Sequence, residues 1–452
     1  MKHPLRAAAP RPSACPGLLR IVAARDGGIC RIKLPGGRLT ARQARAIAVA
    51  AEACAGGVLE ATNRANLQIR GVRAGCEDAL IERLLAAGLG AASAAGDDVR
   101  NLMLSPAAGH DPHTLLDTRP LAAALLARLE REPRWHALSP KFAVQLDGGE
   151  ALAMLDHPHD LWLSALPGED GPRYAFGLAG CPPQRAGDEP ALASIPAAQA
   201  GALVFALLEL FLDRAGAEQT RMRHLLQSLP APAVLAALRA RHPVLELRRD
   251  AALLSWRRAP AEPQRRFGVQ AQRQAGLCQV GAQSVLGRLR GGQLRRLAEL
   301  AERFGDASLR LTPWQGVLLP NIPAADATGV LGELASLGLL VDPAAPLARL
   351  VACTGSQGCA RALADTKADA LRLAALLPPA AGAADIHLSG CPRSCAAAHV
   401  AAFTLLATAP ARYQLLQRTP GGAGFGRVLA ENLNIEQAAA RLAASPSSPE
   451  SP

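Results

Sequence analysis

Pro35-Gly36-Gly37-Arg38-Leu39-Thr40 is the stretch on which the fold turns. It follows an alternating run, Ile29 to Leu34, that reads as a strand, and it ends on a residue able to cap a helix running to about Cys54. Gly56-Gly57 closes that helix, Val58 to Thr62 reads as a second strand, and Leu67-Gln68-Ile69-Arg70 as a third after the polar turn Asn63-Arg64-Ala65-Asn66. The pattern returns 250 residues later without a gap. Gly37-Arg38-Leu39 matches Gly287-Arg288-Leu289, and Gln43, Ala48, Ala51, Glu52 and Thr62 match Gln293, Ala298, Ala301, Glu302 and Thr312. Gly28-Ile29-Cys30 has a near partner in Gly276-Leu277-Cys278. This is an internal duplication. One copy cannot cover both faces of its sheet, so the two are expected to pair into one pseudo-twofold domain. Their turns differ: Asn63-Arg64-Ala65-Asn66 is basic, whereas Pro313-Trp314-Gln315-Gly316 is aromatic. A cavity with one polar and one apolar wall is expected between them, suited to a large amphipathic ligand.

The second informative stretch is Cys353-Thr354-Gly355-Ser356-Gln357-Gly358-Cys359, with Ser389-Gly390-Cys391-Pro392-Arg393-Ser394-Cys395. Two cysteine pairs spaced C-x5-C and C-x3-C supply the four thiolates an iron–sulfur cubane takes. Gly355, Gly358 and Gly390 allow close backbone approach, and a helix expected from Ala360 to Leu377 would place its N-terminus at Cys359, favouring thiolate charge. Pro392 and Ser394 hold the second pair in a turn before an apolar strand, Val400 to Ala407. Buried free thiols and zinc are the alternatives, although zinc pairs usually sit two to four residues apart.

Half of the 452 residues are hydrophobic, enough for two or three globular domains. Met1 to Gly17 is rich in Pro, Ala and Arg without an apolar core, so no secretory signal is expected, and the cysteines should stay reduced in a cytoplasmic protein. The most apolar run, Ala197 to Leu212, is broken by Gln199 and Glu209 and falls short of a membrane span. The net charge is +11, but the arginines are scattered and aromatics make up 3% of the chain, which argues against nucleic acid and for a polyanionic small molecule. Asp156-His157-Pro158-His159-Asp160 has the residues of a metal site but precedes a strand, Leu161-Trp162-Leu163, as ordinary polar loops do. Gly421 to Gly426 lacks the strand and helix of a nucleotide loop and reads as a turn. Ser445 to Pro452 is low-complexity.

The doubled half-domain and the four cysteines together resemble the nitrite and sulfite reductase superfamily over nearly the whole chain. The resemblance implies an α/β (α+β) fold in which duplicated ferredoxin-like half-domains form one pseudo-twofold domain, flanked by two α/β domains. The expected boundaries are a flexible N-terminus at 1–17, half-domains at 18–72 and 266–325, a tetrapyrrole-binding α/β domain at 73–265, a 4Fe-4S-binding domain at 326–440 and a disordered tail at 441–452. It also implies that Cys353, Cys359, Cys391 and Cys395 hold a [4Fe-4S] cluster and that Arg64, Arg100 and Lys141 grip tetrapyrrole carboxylates. The sequence departs from the reductases at Ala143, where they carry a second lysine, and at Ala402, where an acidic residue is usual.

Within the superfamily, Ala352 to Thr366, Ile386 to Cys391, Phe403-Thr404-Leu405 and Leu309 to Trp314 are similar to the precorrin-3B synthases of aerobic cobalamin biosynthesis. That branch implies oxygen-dependent oxidation of precorrin-3A, with hydroxylation at C20 and γ-lactone closure. NADH is then the ultimate reductant, delivered through an electron-donating reductase. A siroheme-dependent nitrite or sulfite reductase is the alternative. The sequence declares no catalytic residue for oxygen. An additional non-haem iron would draw on His110, His113, His157, His159, His387 and His399.

Overall fold

The computed structural model describes residues 15–168, 171–380, 384–397, 399–419 and 424–444. The first fourteen residues, part of the glycine-rich run at 421–423 and the tail from 445 lie outside the described residues. The first copy runs β1 (Val22–Ala24), β2 (Gly27–Ile32), β3 (Arg38–Thr40), α1 (Ala41–Cys54), β4 (Val58–Ala61), β5 (Leu67–Val72) and α2 (Glu77–Ala86). Thr40 caps α1 as its sequence promised: its hydroxyl accepts the Gln43 amide at 3.2 Å and the Gln43 side chain accepts the Thr40 amide at 3.1 Å. Gly37 has φ +68°, and a Cβ there would stand 2.0 Å from the Leu311 carbonyl oxygen, so the turn into β3 needs glycine.

The chain then builds a first α/β unit: α3 (Ala94–Asp98), β6 (Leu102–Leu104), α4 (Arg119–Arg131), β7 (Val144–Asp147), β8 (His159–Leu166), β9 (Arg173–Gly180) and β10 (Ala193–Pro196). Four helices follow: α5 (Ala200–Arg214), α6 (Met222–Leu225), α7 (Ala231–Arg241) and α8 (Ala251–Ser255). The second copy repeats the first as β11 (Gly268–Ala271), β12 (Leu277–Gln283), β13 (Arg288–Arg290), α9 (Gly291–Phe304), β14 (Ser308–Leu311), β15 (Gly316–Pro323) and α10 (Ala327–Ser336). A second α/β unit completes the chain: β16 (Leu350–Ala352), α11 (Thr366–Leu376), β17 (Ile386–Ser389), β18 (Phe403–Ala409), β19 (Arg412–Gln417), β20 (Arg427–Leu433) and α12 (Ile435–Ala444).

The two copies interlock by exchanging a strand. One sheet is ordered β1-β2-β5-β4-β13 and the other β11-β12-β15-β14-β3. Leu289 lies opposite Leu59 and Leu39 opposite Leu309, all four buried in one core. Burying each such leucine contributes roughly 1.5–3 kcal/mol. α1 and α9 back this core with Ala44, Ile47, Ala48 and Ala51 against Leu294, Leu297, Ala298 and Ala301. Two symmetry-related ion pairs, Arg45 with Glu302 and Arg295 with Glu52, flank the helices. Leu80 and Leu84 of α2, and Val330 and Leu334 of α10, belong to the same core. The packed half-domains therefore extend past Val72 and Ala325, to Leu89 and Leu339.

The duplication also continues into the α/β units. In each, two parallel pairings (β6–β7–β8 and β16–β17–β18) are followed by two antiparallel ones, in the order β6-β7-β8-β9-β10 and β16-β17-β18-β19-β20. The molecule is thus two copies of a half-domain plus an α/β unit. Among the described residues no helix is long and apolar enough to cross a membrane. The last helix runs to Ala444, beyond the expected start of the tail at Arg441.

Candidate functional site: four thiols beside a buried arginine cluster

β16 and β17 are parallel neighbours, Leu350 opposite Ile386 and Ala352 opposite Leu388. The loops leaving their C-terminal ends therefore begin side by side, and they carry the four cysteines. The Gly390 amide donates to the Cys353 sulfur at 3.2 Å, and the Leu363 amide donates to the Gly390 carbonyl at 2.9 Å. A Cβ at Gly390 would meet the Ala362 Cβ at 2.6 Å and lie 3.5 Å from Cys353 Sγ. Thr366 donates its hydroxyl to the Cys353 carbonyl at 2.8 Å, with Cys353 Sγ 3.5 Å away. Desolvation by these loops raises the Cys395 thiol above its ordinary range, and Cys391, Cys353 and Cys359 raise it further. Cys395 therefore lies within the field of the other three thiols. A backbone amide on sulfur and two adjacent cysteine-bearing loops packed through small residues suit a thiolate-bound iron–sulfur core.

One expectation fails here. Residues 359–365 form turns, and the helix starts at Thr366, where Asp365 accepts the Ala368 amide at 3.3 Å. Cys359 is therefore outside any helix N-terminus, and the helix dipole does not act on it.

The first cysteine loop is clamped from the ferredoxin-like domain. Arg25 donates to the Ser356 carbonyl at 2.8 Å and Arg70 to the Gly358 carbonyl at 3.0 Å, Arg70 being paired with Asp26 at 2.8 and 2.9 Å. Thr354 donates its hydroxyl to Glu60 at 3.0 Å. Around the Glu60 carboxylate stand Lys367 and Arg288 at 3.6 Å and Arg70 at 3.7 Å.

Beside the thiols lies a buried cationic cluster. Arg64 shares it with Arg31, Arg221, His157 and His159, and Asp160 is the carboxylate among them. Burial pushes Arg64 down to about 10, and Arg221 and Arg31 push the same way. Burial likewise lowers Arg31, opposed by the Cys15 and Cys395 thiols, so Arg31 connects the cluster to the cysteine loops. Asp160 takes Arg221 Nε at 2.9 Å on both oxygens, with the Met222 amide at 2.8 Å and the Ala143 amide at 2.9 Å. The His157 and His159 rings meet edge to face at 5.1 Å, and burial drives His157 down to about 3 and His159 well below its ordinary value. Among the described residues, Arg31 Nε, His157 Nδ1 and both His159 nitrogens are buried without a hydrogen-bond partner. An unpaired guanidinium N–H and unpaired imidazole nitrogens beside three arginines suit an anionic ligand.

Of the three basic residues expected at the ligand, Arg64 is in this cluster. Arg100 is held by Glu130 at 2.6 Å and by the Gly90 carbonyl at 3.0 Å, and Lys141 is exposed on the loop before β7. Arg31 and Arg221 were not singled out in the sequence. Arg31 had a signal, since it alternates with buried Cys30 and Ile32 along a strand, whereas Arg221 stands in an irregular segment ahead of α6 and had none.

Trp314 of the aromatic turn packs against Ala107, Leu152 and Leu318, with Arg266 5.7 Å from its ring. Among the described residues no group of three or more His, Cys, Asp or Glu is arranged around one metal ion. His110 is buried beside Arg310 and Arg119, His113 bonds Asp111 at 3.1 Å, His387 is enclosed in β17 and His399 packs on Phe425 at 4.5 Å.

Comparison with known proteins agrees with this architecture. The family model described as nitrite and sulphite reductase 4Fe-4S domain matches residues 95–243, and that of the nitrite/sulfite reductase ferredoxin-like half domain matches 23–87 and 270–337. The first match covers the α/β unit without the four cysteines; these lie in its structural repeat. Ferredoxin–nitrite reductase of Zea mays is 33% identical over 392 residues, 82% of this chain and 68% of that protein. That of Synechococcus elongatus is 31% identical, covering 84% and 76%. Precorrin-3B synthase of Sinorhizobium sp is 28% identical, covering 90% and 83%. The NirA protein of Mycobacterium tuberculosis shares the fold with TM-score 0.72 at 21% identity, over 91% of this chain and 79% of that one. Two interlocked ferredoxin-like halves, each followed by the same α/β unit, and relatives aligned across both make this chain a member of the nitrite and sulfite reductase family.

Proposed function

We propose that this oxidoreductase binds precorrin-3A at the buried arginine cluster and oxidises it to precorrin-3B with O2, by C20 hydroxylation and γ-lactone formation. The carrying observation is the charge of that cluster: Arg31, Arg64 and Arg221 converge with one carboxylate, Asp160, and several buried nitrogens there lack a partner among the described residues. A tetrapyrrole rimmed with carboxylates meets that demand. Arg64 and Arg221 orient the substrate rim; Lys141 and Arg100 are further candidates for its carboxylates. His157 and His159, neutral at physiological pH, offer ring nitrogens without adding charge. Cys353, Cys359, Cys391 and Cys395 would hold a [4Fe-4S] cluster, which supplies electrons singly when bound. NADH is the ultimate source, through a separate electron-donating protein. The alignment supports this branch, since the precorrin-3B synthase relative matches over 90% of this chain against 82% for the maize reductase.

The higher identity to the nitrite reductases favours a second reading, siroheme as prosthetic group and nitrite or sulfite as substrate. Absorption and EPR spectra of anoxically purified protein, with iron and sulfide counts and acid extraction of tetrapyrrole, separate the two. A cubane without siroheme, followed by oxygen-dependent consumption of precorrin-3A, is expected. Stoichiometric siroheme with six-electron reduction of nitrite or sulfite would replace the first reading by the second.

A further inference from the structure

The charge group under the first cysteine loop does more than the fold asks of it. In the exchanged strands the same register position is filled twice: Arg288 faces Glu60 on the thiol side, and Arg38 faces Arg310 on the other. An arginine therefore satisfies this position as well as a carboxylate does, and the carboxylate stands only where the cysteines are. Glu60 is 6% exposed and Lys367 also 6%. Burial works against the charge on Glu60, but Lys367, Arg70, Thr354 and Arg288 outweigh it and hold its carboxyl below the usual range. Burial lowers Lys367, opposed by Glu60 and by the thiol of Cys353.

The ammonium of Lys367 is placed by three oxygen partners: the Leu286 carbonyl at 2.6 Å, the Ala352 carbonyl at 3.4 Å and Glu60 at 3.6 Å. Ala352 immediately precedes Cys353, and Thr366, the neighbour of Lys367, bonds the Cys353 carbonyl. Glu60 reaches the same loop through Thr354. The Lys367 ammonium and the Glu60 carboxylate thus lie directly behind Cys353 in a region from which water is excluded, with Arg70 and Arg288 on the same carboxylate. Fixed charges there act on a redox centre with little screening.

We propose that Lys367 and Glu60 are positioning residues that set the reduction potential of the centre held by the four cysteines, Lys367 stabilising its reduced, more negative state and Glu60 opposing and anchoring Lys367. This rests on the cluster assignment above. It reaches further, because it names two residues that touch neither the sulfurs nor the ligand of the arginine cluster.

The test is an EPR-monitored redox titration of the holoprotein, with iron and sulfide counted per chain. Lys367→Met should lower the midpoint potential at wild-type iron content, Lys367→Arg should restore most of it, and Glu60→Gln should raise it. Unchanged midpoints in Lys367→Met and Glu60→Gln with full iron would overturn the proposal. If Lys367→Met fails to hold iron, Glu60→Gln and Lys367→Arg decide: an upward shift in the first with near wild-type behaviour in the second supports it, and no shift in the first refutes it. Wild-type protein without four irons, or Cys395→Ala with a full cubane, would bring down the cluster assignment instead.

Discussion

Arg221 and Asp160, sixty-one residues apart, form a pair in which one guanidinium nitrogen lies 2.9 Å from both carboxylate oxygens within the cationic cluster. Asp160 is also fixed by the Met222 and Ala143 amides, so Arg221 is held before any ligand arrives. Arg221→Gln should weaken binding of a polycarboxylate tetrapyrrole by about 1.5–3 kcal/mol, the range for a hydrogen bond to a charged group. Fluorescence quenching or calorimetry measures it, and unchanged affinity would remove Arg221 from the ligand's rim.

Cys395→Ala should abolish the visible absorbance and EPR signal of the cluster together with turnover, because a cubane takes four thiolates. Retention of four irons and four sulfides per chain would refute the ligand assignment.

Gly390→Ala tests the fit between the two cysteine loops. The new Cβ would meet Ala362 at 2.6 Å. Separating the loops should cost about 1–3 kcal/mol, as overpacking does. Iron content should fall while circular dichroism stays at the wild-type level. Full iron content would show that the loops can part without loss.

His157 and His387 are buried and pushed down to about 3, and His110 to about 4, burial being the largest cause in each. An unfolded imidazole takes its proton near pH 6.5. Below that value the unfolded chain binds more protons than the folded one, so lowering the pH destabilises the fold. The stability these groups add is complete above about pH 6.5 and is lost progressively toward the folded values, at about 1.4 kcal/mol per pH unit for each imidazole. Melting temperature should drop between pH 7 and 5, and His387→Leu should flatten that slope. A flat wild-type profile would contradict the buried, neutral state of these rings.

Leu39 and Leu289 occupy equivalent places in the exchanged strands, each buried and each opposite a leucine of the other copy. Leu39→Ala and Leu289→Ala should each cost about 2–5 kcal/mol and by similar amounts. Denaturant unfolding checks this, and a large inequality would mean that one sheet carries the domain.

The duplicated half-domain was legible because a strand–turn–helix pattern recurs at a constant offset, with Thr40 and its Gln43 partner marking the helix start. The duplication of the α/β units was not, because loop lengths between equivalent strands differ: β6 to β7 spans Leu104 to Val144, but β16 to β17 spans Ala352 to Ile386. The helix start at Thr366 was misread because the apolar run from Ala360 outweighed the capping signal of Asp365. The cysteines were legible as a spacing. The cluster's cations come from β2, the turn after β4 and the segment before α6, and only the folded chain brings Arg31, Arg64 and Arg221 together.

The exchanged strands also dictate how this protein must be made. While a ribosome is still reading the first α/β unit, the sheet of the first half lacks its β13 edge, and β3, already synthesised, has no β14 to join. Its core can close only after the codons for Leu289 and Leu309 have been translated. The nascent chain therefore carries an open sheet edge through most of its synthesis, a state prone to aggregation. Slower translation past this point, or a chaperone that shields strand edges, should raise soluble yield more than stabilising either half alone.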